Sequence, residues 1–252
     1  MKTISKFAIL PALLIGLASV AYADSIQIGS YGTGDPSLGN ANTPLFFVGT
    51  SPLNPGYATT LVAPVIPTSP TLKASYDVNA NGVWSNAISG SSWVSNNAGA
   101  GPAGALPGGS VVDPNGFYYY ATAFTAVGGL YYGSLSVLAD DTAEVILDPG
   151  TPDQQILVAF GAIGGDGHCA DGSPNCSVVD MINFSDLKLL AGINTLEIID
   201  AQTGLNAAGV DFSADLTKTP EPSSLLLMGS GLLGLAMIAF RKAKAARLSV
   251  HS

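Results

Sequence analysis

Hydrophobic and polar positions alternate over short stretches along most of this chain. Phe117 to Ala126 is aromatic and alternating, and Tyr131 to Ala139 places Leu135, Val137 and Ala139 on one face. Ala143 to Leu147, Gln155 to Phe160, Met181 to Leu187, Thr195 to Ile199 and Val210 to Leu216 continue the series, with Ala191-Gly192-Ile193-Asn194 as a turn. Period-two runs of roughly five to ten residues bounded by turn formers predict β-strands. Upstream, residues 24–114 are rich in Gly, Pro, Asn, Ser and Thr, and Pro at 44, 52, 55, 64, 67 and 70 breaks any helical period. The strands readable there are Lys73 to Val78, Val83 to Ile88 and Ser92 to Val94, beside apolar islands at Leu45 to Val48 and Leu61 to Ile66. This pattern predicts an all-β sandwich or jelly roll with an irregular N-terminal part.

Two apolar segments break the pattern, one at each end. Ser223 to Phe240 is uncharged, and its eighteen residues at about 1.5 Å each give roughly 27 Å of helix, the scale of a hydrocarbon core. Arg241, Lys242, Lys244 and Arg247 follow at once, a basic cluster that keeps its end in the cytoplasm and puts the preceding chain across the membrane. At the other end, Lys2 and Lys6 precede the apolar stretch Phe7 to Leu17, and Ala21-Tyr22-Ala23 forms a small-x-small cleavage site. That is the layout of a signal peptide removed by signal peptidase, so the mature chain is expected to begin at Asp24. The expected organisation is a signal peptide over 1–23, a β-sandwich ectodomain over 24–217 and a C-terminal signal over 218–252.

Pro220-Glu221-Pro222, the Gly-containing apolar helix and the Arg/Lys tail together resemble the PEP-CTERM sorting signal, also labelled "ice-binding protein C-terminal". The resemblance implies an exported protein that is transiently anchored and then processed by a membrane-embedded protease of the exosortase type. A plain C-terminal membrane anchor is the alternative. A second resemblance rests on three pieces: Gly116-Phe117-Tyr118-Tyr119-Tyr120, Leu138-Ala139-Asp140-Asp141-Thr142-Ala143-Glu144-Val145-Ile146-Leu147, and Leu190 to Ile198 leading to Gly209-Val210-Asp211-Phe212. Together they are similar to the galactose-binding-like jelly rolls of many PEP-CTERM proteins. Leu147-Asp148-Pro149-Gly150 departs from the usual Leu-Asn-Gly of that family.

Charge narrows the partners. Asp24 to Thr219 holds 17 Asp plus Glu against three Lys (Lys73, Lys188, Lys218) and no Arg, a net charge of 3 − 17 = −14. So acidic a surface repels phosphate backbones, which excludes nucleic acid. Two cysteines, Cys169 and Cys176, are expected to form a disulfide in an exported chain. Closing so short a loop contributes on the order of 2 to 3 kcal/mol.

Candidate chemistry is sparse. Asp140, Asp141 and Glu144 form the densest acidic group. Hard oxygen ligands in a turn suit a structural calcium at Asp140 and Asp141, while turn bonding to the local backbone accounts for them equally. Glycoside hydrolysis needs a pair of carboxyls in acid and base roles, and no complete set is visible. The loop with His168, Cys169, Cys176, Asp166, Asp171 and Asn175 lacks zinc-knuckle and EF-hand spacing. Trp84, Trp93 and Tyr119 could stack on sugar rings as a glycan platform, or lie in the core. Catalytic residues are therefore expected to be none, cofactors none beyond a structural calcium. The chain reads as a non-enzymatic cell-surface or extracellular-matrix protein, and the resemblance to the PEP-CTERM signal implies association with exopolysaccharide. A carbohydrate-binding module is the alternative and a hydrolase the weaker one.

Overall fold

The computed structural model describes residues 24–30, 41–55, 61–63, 72–80, 84–101, 113–160, 179–203, 207–220 and 222–248, with the side chains of 43, 222–227 and 243–248 outside that description. The signal peptide, with Ala21 and Ala23, lies outside the described residues, as do Glu221 and the Cys169–Cys176 loop with His168.

Two compact units emerge, and Ser25–Thr217 is the larger. Its strands are β1 (Ser25–Gly29), β2 (Ala41–Ser51), β3 (Lys73–Asp77), β4 (Val94–Ser95), β5 (Gly116–Ala126), β6 (Gly129–Asp140), β7 (Thr142–Leu147), β8 (Gln155–Val158), β9 (Asp180–Leu189), β10 (Gly192–Gln202) and β11 (Gly209–Lys218). They follow the order β8-β7-β10-β5-β2-β3-β4-β11-β6-β9, with β1 added to β11. The all-β expectation holds for this unit, because most of the runs read as strands form strands that bury one face.

The sheet folds on itself about one core. Phe47, Tyr118, Tyr120, Val145, Leu196 and Ile198 meet Ile28, Tyr131, Leu135, Leu187, Phe212 and Leu216 there. Burying an aromatic or branched side chain of this kind contributes about 1.5 to 3 kcal/mol. The buried tyrosines keep their hydroxyls satisfied where they reach a strand end. Tyr118 donates to the Pro114 carbonyl at 2.7 Å and Tyr131 to the Val127 carbonyl at 2.7 Å.

Three sequence expectations need correction. The N-terminal part is less irregular than its composition suggests, since β1 pairs with β11 from Ser25 opposite Thr217 to Gly29 opposite Ser213. Pro44 is accommodated in β2 because the β2–β3 ladder shifts register between Asn42 and Phe46, and a bulge is where a strand tolerates proline. The Asn42 side chain accepts the Leu45 N–H at 3.0 Å within that bulge. In contrast, 84–88 is not a strand. Side chains hold it instead: Asp211 Oδ2 accepts the Ile88 N–H at 2.7 Å, and Trp93 Nε1 donates to the Ser85 carbonyl at 3.0 Å.

The turn between β9 and β10 forms as the sequence implies. Gly192 takes a left-handed φ of 101°, and Asn194 closes the turn by accepting the Leu190 N–H at 2.8 Å and donating to the Leu190 carbonyl at 3.0 Å.

The other unit contains α1, Pro222–Leu248. It begins at the second proline of Pro-Glu-Pro, a first-turn position where a missing N–H costs nothing, and runs beyond the expected 223–240. Met228, Leu232, Leu233, Met237, Ile238 and Phe240 are exposed on it. Among the described residues, no helix is long and apolar enough to cross a membrane, so the expected transmembrane span is not met there.

Candidate functional site

Alternation on β5, β7 and β10 divides their side chains between two faces. Tyr118, Tyr120, Val145 and Ile198 enter the main core. Phe117, Tyr119, Ile146 and Ile199 form a second cluster on the opposite face, with Leu53, Leu61 and Phe160 against it. That outer face carries Glu144 and Glu197, the two glutamates between Asp24 and Thr219.

Register aligns one row straight across five strands. Phe46 on β2 stands opposite Ala121 on β5, Ala121 opposite Glu197 on β10, Glu197 opposite Ile146 on β7, and Ile146 opposite Ile156 on β8. Phe46 is 40% and Ile156 58% exposed at the ends of the row, whereas Glu197 between them is 8% exposed. The adjacent row sets Glu144 opposite Ile199, and Ile199 opposite Tyr119. Glu197 and Ile146 are buried within this row, and Ala121 is packed against the second cluster.

Electrostatics single out that carboxyl. Burial, then the negative charge of Glu144, pushes Glu197 up to about 7. Burial raises Glu144 as well. Among the described residues no hydrogen bond and no cation lowers Glu197. Lys188 is paired with Asp153 at 2.8 Å, and Lys73 lies 5.9 Å from the Phe47 ring centroid. Nearby, the Tyr119 hydroxyl and Ser51 Oγ share a hydrogen bond of 2.9 Å.

A second acidic group is interior. Asp200 is fully buried, and neither of its carboxyl oxygens has a hydrogen-bond partner. Burial first, then the charges of Asp140, Asp141 and Asp113, raise it well above the carboxylate range, which holds it protonated. Asp211 and Asp113 are each pushed to about 6, mainly by burial.

The residues singled out from sequence fall mostly elsewhere. Trp84, Trp93 and Tyr119 are 4%, 2% and 3% exposed, which corrects their reading as a glycan platform. The two indoles stack on each other with centroids 4.4 Å apart, so each ring face that could meet a sugar meets core instead. Asp140 Oδ2 accepts Trp84 Nε1 at 2.7 Å. Asp141 Oδ2 accepts the Thr203 N–H at 2.6 Å and also the Thr203 hydroxyl. Both aspartates thus brace the interior. Among the described residues no group of three or more His, Cys, Asp or Glu could hold a metal ion, so the calcium expected at Asp140 and Asp141 has no ligand set there. Nor do Asp140 and Asp141 join Glu144 as a catalytic group, since Glu144 stands on the outer face with Glu197.

Pro220 follows β11, Pro222 opens α1, and Arg241 and Lys242 are exposed on it. Lys244 and Arg247 are on the same helix. Residues 218–243 match the family model described as the PEP-CTERM protein-sorting motif. The chain carries a PEP-CTERM sorting motif. Its presence marks an exported, surface-directed protein and implies exosortase processing.

No curated protein matches the chain. Among solved structures, a family 35 carbohydrate binding module from an environmental isolate is 16% identical, with a TM-score of 0.26 over 48% of this chain and 85% of that one. The Podospora anserina GH26-CBM35 β-(1,4)-mannanase is 15% identical with a TM-score of 0.24, over 44% of this chain, which spans 24% of the mannanase. The infectious bursal disease virus Gx strain structure is 10% identical, with a TM-score of 0.21 over 79% and 56%. At TM-scores this low the likenesses carry no argument about fold or ligand.

Glu197 escaped the sequence reading because the residues in its row come from distant strands, such as Ala121 on β5 and Phe46 on β2. The available signal was parity: within Thr195 to Ile199, Glu197 is the charged residue in an otherwise apolar-rich strand.

Proposed function

We propose that the PEP-CTERM protein is a non-enzymatic cell-surface or extracellular-matrix protein, associated with exopolysaccharide, whose acidic galactose-binding-like β-sandwich is exported, held by α1 and then released or attached by an exosortase-type protease. The observation that carries this reading is the sorting motif at 218–243. The exposed apolar side chains around α1, Met228 to Phe240, followed by Arg241 and Lys242, support a membrane-seated step.

The test is the full chain with Pro220, Glu221 and Pro222 replaced by Ala, expressed in a host with the processing protease. An unprocessed form retained in the membrane fraction is expected. Unchanged processing and surface delivery would sink the reading.

Carbohydrate binding is the second reading, favoured by the Phe46–Ala121–Glu197–Ile146–Ile156 row. Phe46 and Ile156, exposed at the two ends of the row, offer apolar contact that suits the C–H faces of sugar rings. Replacing both Phe46 and Ile156 with Ser is expected to abolish glycan retention by the full chain, and retention that survives it places any glycan elsewhere.

A further inference from the structure

We propose that one end of the β unit, formed by the β5–β6 and β9–β10 turns, is a lipid-docking surface that seats on a phospholipid bilayer through Val127, Leu130 and Ile193. This rests on the membrane-seated step proposed above and says which part of the ectodomain meets the membrane.

Strand pairing brings the two turns together. Gly192 stands opposite Ala126 at the end of β5, and Leu189 stands opposite Gly129 at the start of β6. A Cβ added to Gly128 would lie 2.8 Å from the Ala191 nitrogen, so the turns touch. Turns are ordinarily built from polar residues and glycine. Here Val127, Leu130 and Ile193 are 59%, 46% and 74% exposed, with Ala191 exposed beside them. Apolar side chains scattered singly over a surface need no explanation, whereas a group gathered at one end marks an interaction site.

Where the chain leaves the β unit names the partner. Gly209 at the start of β11 lies against Trp84, which shares a cluster with Leu138 late in β6, while Asp215 lies against Gly133 near the start of β6. β11 therefore runs toward the two turns and finishes at their end, at Lys218. Only Thr219, Pro220 and Glu221 separate Lys218 from Pro222, the first residue of α1. Four Cα steps reach at most about 14 Å, so a membrane-seated α1 keeps this end of the β unit near the lipid headgroups. Lys188 stands opposite Leu130 at the same end. Lysines so placed suit a bilayer interface, with the stem along the apolar side chains and the ammonium at the phosphates.

The experiment reconstitutes the full chain in vesicles of equimolar phosphatidylcholine and phosphatidylglycerol, with and without dibrominated acyl chains, which quench tryptophan on contact. Ile193→Trp and Leu130→Trp put a probe at the turns. Met181→Trp puts one at the far end of β9, where Met181 is also exposed. Trp84 and Trp93 are buried and give a constant background. Flotation with the vesicles reads whether the chain seats at all. Every variant is expected to float, with the added emission quenched by at least half at 193 and 130 and by less than a tenth at 181. Flotation without quenching at 193 and 130, or with equal quenching at all three positions, overturns the docking surface and keeps the membrane-seated step. A chain that stays out of the floating fraction removes both. Unquenched emission at 193 that shifts to the blue as protein concentration rises overturns lipid in favour of a second copy of this chain. Thermal unfolding checks that each variant folds, and probes on two different strands keep the test standing if one does not.

Discussion

Glu197 on β10 and Glu144 on β7 stand diagonally on neighbouring strands, Glu197 opposite Ile146 and Glu144 opposite Ile199, on the same outer face of the sheet. Like charges so placed oppose each other, and no cation among the described residues relieves Glu197.

Glu197→Gln is expected to stabilise the free protein at neutral and alkaline pH. The folded value, about 7, is raised above the ordinary 4.5, so the group's contribution is intact below about pH 4.5 and is lost as pH rises through about 7. Glu144 and Tyr119 are the titratable neighbours facing it from β7 and β5. The substitution should add about 2 to 3 kcal/mol at pH 8 and little at pH 4, read by urea unfolding at both. A destabilised variant at pH 8 contradicts the assignment.

The whole β unit should lose stability between pH 4 and pH 7. Asp113 and Asp211 rise from 3.8 to about 6, and burial raises Asp200 as well. Each is protonated in the folded state where the unfolded chain is ionised, so folding takes up protons across that window. Unfolding free energy at pH 7.5 is expected to be at least about 3 kcal/mol below that at pH 4.5. A rise in stability over the same interval would falsify the buried-acid account.

Trp84→Phe tests the Trp84–Asp140 bond. It deletes the indole donor 2.7 Å from Asp140 Oδ2 and half of the stacked pair with Trp93. A loss of about 1 to 3 kcal/mol in unfolding free energy is expected for a buried acceptor that loses a hydrogen bond from the indole. Glycan binding should be unchanged, because both indoles are in the interior.

Gly133→Ala should be among the most damaging substitutions in the sheet. Gly133 has φ 152°, and an added Cβ would lie 1.9 Å from the Asp215 carbonyl oxygen of β11. Backbone has no rotamer by which to retreat, so β6 and β11 would have to separate. We expect a cost of about 3 kcal/mol or more, measured by chemical denaturation; a near-neutral result refutes this close approach.

Legibility from sequence followed the range of the forces involved. The strands β5 to β11 were readable because alternation, a local property, decides which face is buried. β1 and β2 were not, since pairing of Ser25–Gly29 with the chain's far end and a bulge around Pro44 overrode a composition that reads as loop. The aromatic platform failed for a related reason: Trp84 and Trp93 have the right chemistry for sugar, yet each stacks on the other and Trp84 also lies against Gly209.

By itself the sequence determined the export features, the sorting motif, the acidic charge and the all-β class, because each is written in contiguous residues or in composition. Tertiary structure alone decided which carboxyls brace the interior and which pair stands on the outer face. Asp140 and Asp141 are adjacent in the chain and turn inward to Trp84 and Thr203, while Glu144 and Glu197, 53 positions apart in the sequence, come together. Strand register sets those distances, and register is a property of pairings between distant segments.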